Sequence, residues 1–267
     1  MKPNIKLPVL FISHGGGPWP YIEDMRQRFA VTEAELAKLP ASLPAKPKAI
    51  LVITGHWEEP QFTVSTAQQP PMEYDYFGFP EHTYHVQYPA AGSPALAKRV
   101  GELLALSGVK VLEDEQRGFD HGVFVPMMLM YPHADIPVVM LSMKTTYDPL
   151  EHIKLGEALA PLREEGVLIV GSGLTYHNMR GFGRPVSFEP SVQFEQYLYE
   201  AIANSSPQQR NKALADWEQA PFARLVHPRE DHLIPLMVVA GAAADSVGER
   251  IFTDTVFDVV MASYRFG

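Results

Sequence analysis

The chain has 267 residues, 46% of them hydrophobic and 20% charged, so it carries enough apolar material for a sizeable core and does not read as a disordered polymer. Lysine and arginine number 22 against 31 aspartate and glutamate, a formal net charge of −9; an acidic chain without a Lys/Arg run points away from nucleic acid and from anionic membrane surfaces. Cysteine is absent, which removes disulfides, thiol nucleophiles, Cys-ligated zinc and iron–sulfur clusters and leaves any metal to His, Asp or Glu.

No apolar run approaches the roughly 18 residues of a membrane span. The opening Met-Lys-Pro-Asn-Ile-Lys-Leu-Pro has no apolar stretch ahead of a small-residue cleavage site. The expectation is a soluble, cytoplasmic protein; nothing in the sequence marks an oligomeric state. No sequence period of roughly 20–50 residues recurs, so repeat architectures are excluded.

Residues 8–13 form the first predicted strand and end in Ser-His14-Gly-Gly-Gly. Residues 25–48 read as a charged surface helix followed by a stiff Pro/Ala connector. The second strand, 49–54, runs into Gly-His56-Trp, and a third is predicted at 61–66. Residues 70–89 hold Tyr74, Tyr76, Phe77, Phe79, Tyr84 and Tyr88 among prolines and glycine, a composition that suits a packed loop beside a pocket. A helix follows over 93–107, with Ser93 as its cap and Leu96, Val100, Leu103 and Leu104 on one face. Strands are predicted at 109–112 and 137–142, separated by Gly-Phe-Asp-His121-Gly and an apolar stretch over 123–130. A helix over 149–164 leads to a strand at 167–170, which ends in Gly-Ser-Gly-Leu-Thr-Tyr-His177-Asn. A helix over 190–203 comes next, and His227-Pro-Arg-Glu230-Asp-His232 opens the apolar run 233–244. Continuous apolar strands alternating with helices predict a single-domain α/β sandwich over residues 1–267, with a central, mostly parallel sheet flanked by helices.

Three predicted strands thus end alike: apolar residues, then small ones, then a histidine. One histidine at a strand end is more often a hydrogen-bonded structural residue than a ligand. Three in one topological position are not explained that way. In α/β sheets the loops at the carboxyl ends of the strands form the ligand crevice, so neighbouring parallel strands would bring His14, His56 and His177 together there. His121 and His232 begin apolar stretches and are the next candidates. His82 and His85 read as surface or pocket-rim residues, His133 and His152 as structural, and His227 as a supporting neighbour of the site. Imidazoles with at most one carboxylate suit Fe(II), Zn(II) or Mn(II). A partly open Fe(II) site leaves room for substrate and O₂, whereas a closed tetrahedral zinc site leaves nothing to react.

The ordered set Ser-His14-Gly, Gly-His56-Trp, Tyr76-Phe-Gly-Phe-Pro80, Tyr88-Pro-Ala-Ala-Gly92, Gly118-Phe-Asp-His121-Gly, Gly171-Ser-Gly-Leu-Thr-Tyr-His177-Asn and His227-Pro-Arg-Glu-Asp-His232 resembles the class III (LigB-type) extradiol ring-cleavage dioxygenases, in particular their 4,5-DOPA dioxygenase-like branch. The resemblance spans residues 13–236. It implies a mononuclear non-haem Fe(II) site that inserts both atoms of O₂ into a catechol-type aromatic diol, with Zn(II) able to occupy the site in purified protein. It also implies His14 and His56 as metal ligands and His232 as the third, with Glu230 the competing candidate because the wider class uses a glutamate. His177 and His121 are implied as the acid/base residues, His177 also as a possible fourth ligand. Trp19, Trp57, Tyr76, Phe77 and His85 are candidates for shaping substrate choice. Two other readings use the same crevice: a zinc-dependent hydrolase, against which the absence of His-Glu-x-x-His and of a serine elbow counts, and a non-enzymatic binding protein like the Memo-type proteins.

Overall fold

The computed structural model describes residues 5–267, so residues 1–4 of the opening segment read above for a leader lie outside the described residues. Strands β1 (Val9–Ser13), β2 (Ala49–Thr54) and β8 (Val167–Gly173) are buried at every position. Such strands need cover on both faces, which is the condition of a parallel sheet packed between helices. They lie side by side and parallel, β8 pairing with β2 on one flank and β1 on the other. Parallel β6 (Val138–Met140) extends the sheet beyond β2. On the other side an antiparallel hairpin of β9 (Gly248–Val256) and β10 (Val259–Phe266) completes the order β6-β2-β8-β1-β10-β9. Two short parallel pairs stand apart: β3 (Glu58–Glu59) with β7 (Met143–Lys144), and β4 (Thr63–Ser65) with β5 (Leu112–Asp114). The strands expected at 61–66 and 109–112 therefore form, shifted and shortened, but do not join the main sheet.

The region expected as one surface helix is two, α1 (Glu23–Arg28) and α2 (Ala30–Ser42), the second carrying Pro40 in its last turn. α3 (Pro94–Leu106) begins as expected: the Leu96 N–H donates to Ser93 Oγ at 3.2 Å. α4 (His121–Met130) forms from the 123–130 apolar stretch. α5 (Pro149–Leu159), capped by Asp148, tightens into a 3₁₀ turn over Ala160–Arg163, where Pro161 lacks the N–H that would continue it. α6 (Phe188–Ala203), α7 (Pro207–Ala215) and α8 (Ala223–Val226) precede α9 (Ile234–Ala243).

Every residue of α9 is buried, so it runs through the core between the sheet and α5. Its crossing with α5 is close enough that a Cβ at Gly156 would collide with the Val238 carbonyl, and one at Gly241 with that of Ile153. Two buried guanidinium groups satisfy its last carbonyls. Arg163 donates to Ala242 and Ala243 at 3.2 and 2.8 Å, and Arg210 to Ala240 and Ala244 at 2.9 and 3.0 Å. Neither pairs with a carboxylate; the negative end of the helix dipole offsets their charge. Burial pulls the Arg210 guanidinium down to about 10, still cationic at neutral pH.

Candidate metal centre

Because β2, β8 and β1 are parallel neighbours, their carboxyl ends open on one edge of the sheet, and the chain leaves each toward a histidine. His14 follows β1 directly; its N–H donates to the Gly173 carbonyl at 3.2 Å, and its own carbonyl accepts from Trp19 Nε1 at 2.8 Å. His56 follows β2 after one glycine. His177 lies four residues past β8, its N–H on the Val226 carbonyl at 3.1 Å. His121 is the first residue of α4, and His232 lies two residues ahead of α9. Gly173 allows the closest approach, since a Cβ there would collide with the His232 carbonyl.

Five rings converge. Centroids of His14 lie 5.0, 5.3 and 5.3 Å from those of His56, His121 and His232. His56 is 4.0 Å from His121 and 4.6 Å from His232, and His177 stacks on His232 at 3.4 Å. Nε2 of His56 and Nε2 of His232 face each other at 3.1 Å. His14, His56 and His121 each present a nitrogen within 4.8 Å of the others and could hold a metal ion. Glu230 is turned elsewhere, its carboxylate 2.6 Å from Arg224. His14, His121 and His232 are buried, while His56 and His177 keep 19% and 18% of their side chains exposed, so the cluster opens to solvent on their side.

Both ring nitrogens of His14 are buried without a hydrogen-bond partner. Leaving buried polar atoms unsatisfied costs on the order of 1–3 kcal/mol each, so a fully buried imidazole set among three others fits a ligand waiting for a cation. The electrostatics agree. Burial first, then the neighbouring rings, hold His14 and His56 well below the usual imidazole range. Burial and His177 push His232 down to about 4 against the opposing pull of Asp231. All three are therefore neutral at pH 7 with lone pairs free, the state a metal requires.

Sequence reading did not single out the carboxylates and the arginine around this cluster. Asp75, from the aromatic loop, accepts from His121 Nδ1 at 2.8 Å and lies 3.2 Å from His56 Nδ1. Burial raises its pKa, but the hydrogen bond and charge of His121 outweigh that and lower it. Asp231 Oδ1 accepts from His232 Nδ1 at 3.0 Å and from His177 Nδ1 at 3.2 Å. Arg117 spans Glu73, Asp120 and the His56 carbonyl at 2.6, 2.7 and 3.2 Å, tying the aromatic loop to the end of β2 and the start of α4. Burial, then Asp75, push Asp120 up to about 6 against Arg117 and His121.

The remaining histidines divide by environment. His152 is buried, donating from Nδ1 to the Asp148 carbonyl at 2.7 Å and accepting from the Lys144 N–H at 3.1 Å. His227 is buried under the site and donates to the Thr175 carbonyl at 3.1 Å. His82, His85 and His133 are exposed. The aromatic loop does border the cluster, Tyr76 lying 6.0 Å from His121. Trp19, Trp57 and Tyr76 are buried in its walls, and Phe77 and His85 are exposed.

An α/β sandwich whose sheet ends in a cage of neutral imidazoles, able to hold a metal ion and open on one side, has the make-up of a metalloenzyme. Residues 10–265 match the family described as the catalytic LigB subunit of aromatic ring-opening dioxygenases, and the chain belongs to that family. It is 42% identical over 269 residues to the 4,5-DOPA dioxygenase extradiol of Beta vulgaris, covering 98% of this chain and 97% of that one. It is 35% identical over 242 residues to the protein of the same name in Escherichia coli K12, covering 90% and 86%. A crystal structure of an uncharacterized E. coli K12 protein superposes with a TM-score of 0.80 at 30% identity, over 98% of this chain and 100% of that one. The chain is thus an extradiol ring-cleaving dioxygenase by family, which sets aside the hydrolase and binding-protein readings.

Proposed function

We propose that the whole chain forms one catalytic domain, a non-haem Fe(II)-dependent extradiol dioxygenase that opens a catechol-type ring with O₂. The observation that carries this reading is the convergence of five imidazoles, with both nitrogens of His14 buried and unpartnered. His14, His56 and His232 are the proposed ligands, and Zn(II) would bind the same donors. Bound there, Fe(II) would hold diol and O₂ side by side and supply the electron that O₂ needs.

The chain's own groups handle the protons. A diol must lose protons to chelate an ion. His177, on the open side with Nδ1 held by Asp231, is placed to take one at Nε2. His121, across the cluster with Nδ1 held by Asp75, would take the other at its free Nε2 and return it later in the reaction. Tyr76, itself buried, covers the His121 side against bulk water. A second reading exchanges His121 for His232 in the ligand set, favoured by the close grouping of His14, His56 and His121; His121→Ala would then lose the metal and His232→Ala keep it.

The names of the relatives make 3,4-dihydroxyphenylalanine the first substrate to try. Anaerobic Fe(II) loading followed by O₂ uptake over a panel of catechols tests the proposal. The expected result is one O₂ consumed per diol with a yellow ring-fission product. Bound iron without O₂ uptake on any diol would refute it.

A further inference from the structure

The two carboxylates beside the cluster repeat one arrangement. Asp75 touches His56 and His121, and Asp231 touches His232 and His177. Each therefore joins one proposed ligand to one proposed proton-transfer residue, and all four contacts are to Nδ1. A carboxylate only accepts, so His121, His177 and His232 donate from Nδ1 and keep their lone pairs on Nε2; His56 turns Nδ1 to Asp75 at 3.2 Å, which favours the same tautomer. On that assignment the 3.1 Å approach of His56 Nε2 to His232 Nε2 sets two lone pairs against each other, an arrangement that a bound cation would relieve.

Resting on the metal-site reading above, we propose that Asp75 and Asp231 are twin positioning residues, each fixing the tautomer and aim of one metal-binding and one proton-transfer histidine. Three features of the chain support this. The contacts are independent of each other, Asp75 lying on the aromatic loop and Asp231 in the turn before α9. Both carboxylates are mostly buried, at 16% and 13% side-chain exposure, so their contacts are little screened by solvent. Asp120, the remaining carboxylate close by, is already bound by Arg117 and Thr54 at 2.7 and 3.0 Å and is not free to replace them. The charges also balance. The proposed ligands are neutral imidazoles, so two carboxylates just outside them offset a divalent ion while coordination positions stay open for substrate and O₂. Outer partners of this kind orient ligands and raise their basicity.

Asp75→Asn and Asp231→Ala test the pairing. Long-range proton–nitrogen NMR on the metal-free protein is expected to show Nδ1–H on His56, His121, His177 and His232. Asp75→Asn should convert His56 to Nε2–H while leaving His177 and His232 unchanged; Asp231→Ala should release His177 and His232 and leave His56 and His121. Zn(II) affinity, read by competition with a chromophoric chelator, should fall about 10- to 100-fold in each variant. If Asp231→Ala does not fold, Asp231→Asn keeps Oδ1, removes the charge, and should still weaken Zn(II) binding. Unchanged tautomers, a shift in the other pair of rings, or unchanged Zn(II) affinity would overturn the proposal. The metal-site reading fails separately, through undiminished Zn(II) binding in His14→Ala with the wild-type tautomers intact.

Discussion

His227 shows what burial does to a single side chain of this protein. It donates to the Thr175 carbonyl, and burial followed by the charge of His177 pushes it down to about 3. The unfolded chain binds a proton there near pH 6.5 and the folded protein does not. Above about pH 6.5 the residue is neutral in both states and costs nothing. As pH falls from there toward 3, the unfolded state gains a proton alone and stability drops, by up to about 1.4 kcal/mol per pH unit for this one group. Urea unfolding between pH 7.5 and 4.5 should therefore show a slope that His227→Gln reduces by close to one proton; equal slopes would contradict it. The same scale separates what the sequence could and could not reveal about the site. His14, His56 and His177 were legible because each ends an apolar strand, a local pattern. Asp75 was not, because its partner His121 lies 46 residues away and no spacing rule links a loop carboxylate to a helix start. Asp231 stands beside His232 in a motif already noticed, yet only the fold shows that the same carboxylate also reaches His177.

Among elements, α9 is the one on which the site most depends. It begins two residues after His232, and its position is fixed by contact with α5 at Gly156 and Gly241. A methyl group at either glycine meets backbone, which cannot rotate away. Gly156→Ala should cost about 1–3 kcal/mol, as overpacking does, and thermal unfolding should drop by about 2–4 °C per kcal/mol. An unchanged melting temperature would mean the helices cross more loosely. The apolar run 233–244 was visible in the sequence, but apolar on all sides it carries no period to distinguish helix from strand. The C-terminal hairpin escaped notice for a different reason. Val256 pairs with Val259, so Phe257 and Asp258 alone form the turn, both in the left-handed region at φ 51° and 60°. Such turns are ordinarily announced by Asn-Gly or Asp-Gly. Here Phe257 replaces the usual signal and is held from outside, by Arg28 over its ring at 5.0 Å and by Phe29 at 6.1 Å.

For the whole molecule, the strand order creates the site. The order β2-β8-β1 gathers three histidines from chain positions 14, 56 and 177, and the antiparallel hairpin β9/β10 covers the flank of β1 without entering the cluster. The fold class and the crevice were readable from alternating apolar strands and helices; the antiparallel third of the sheet was not. Burying both His14 nitrogens without a partner weakens the metal-free protein, and a cation that binds only the folded state restores stability by mass action, about 2.7 kcal/mol at a hundredfold excess over Kd. Chelator-treated protein should therefore unfold several degrees below protein given Zn(II) or Fe(II), and His14→Ala should abolish the difference. A variant that still gains stability from the metal would remove His14 from the ligand set.

Anaerobic crystals loaded with Fe(II) and measured at the iron absorption edge test the central claim most directly. The account predicts one anomalous peak about 2.1 Å from a nitrogen each of His14, His56 and His232, a usual metal–imidazole distance. A peak elsewhere, or one bound by Glu230 in place of His232, would contradict it.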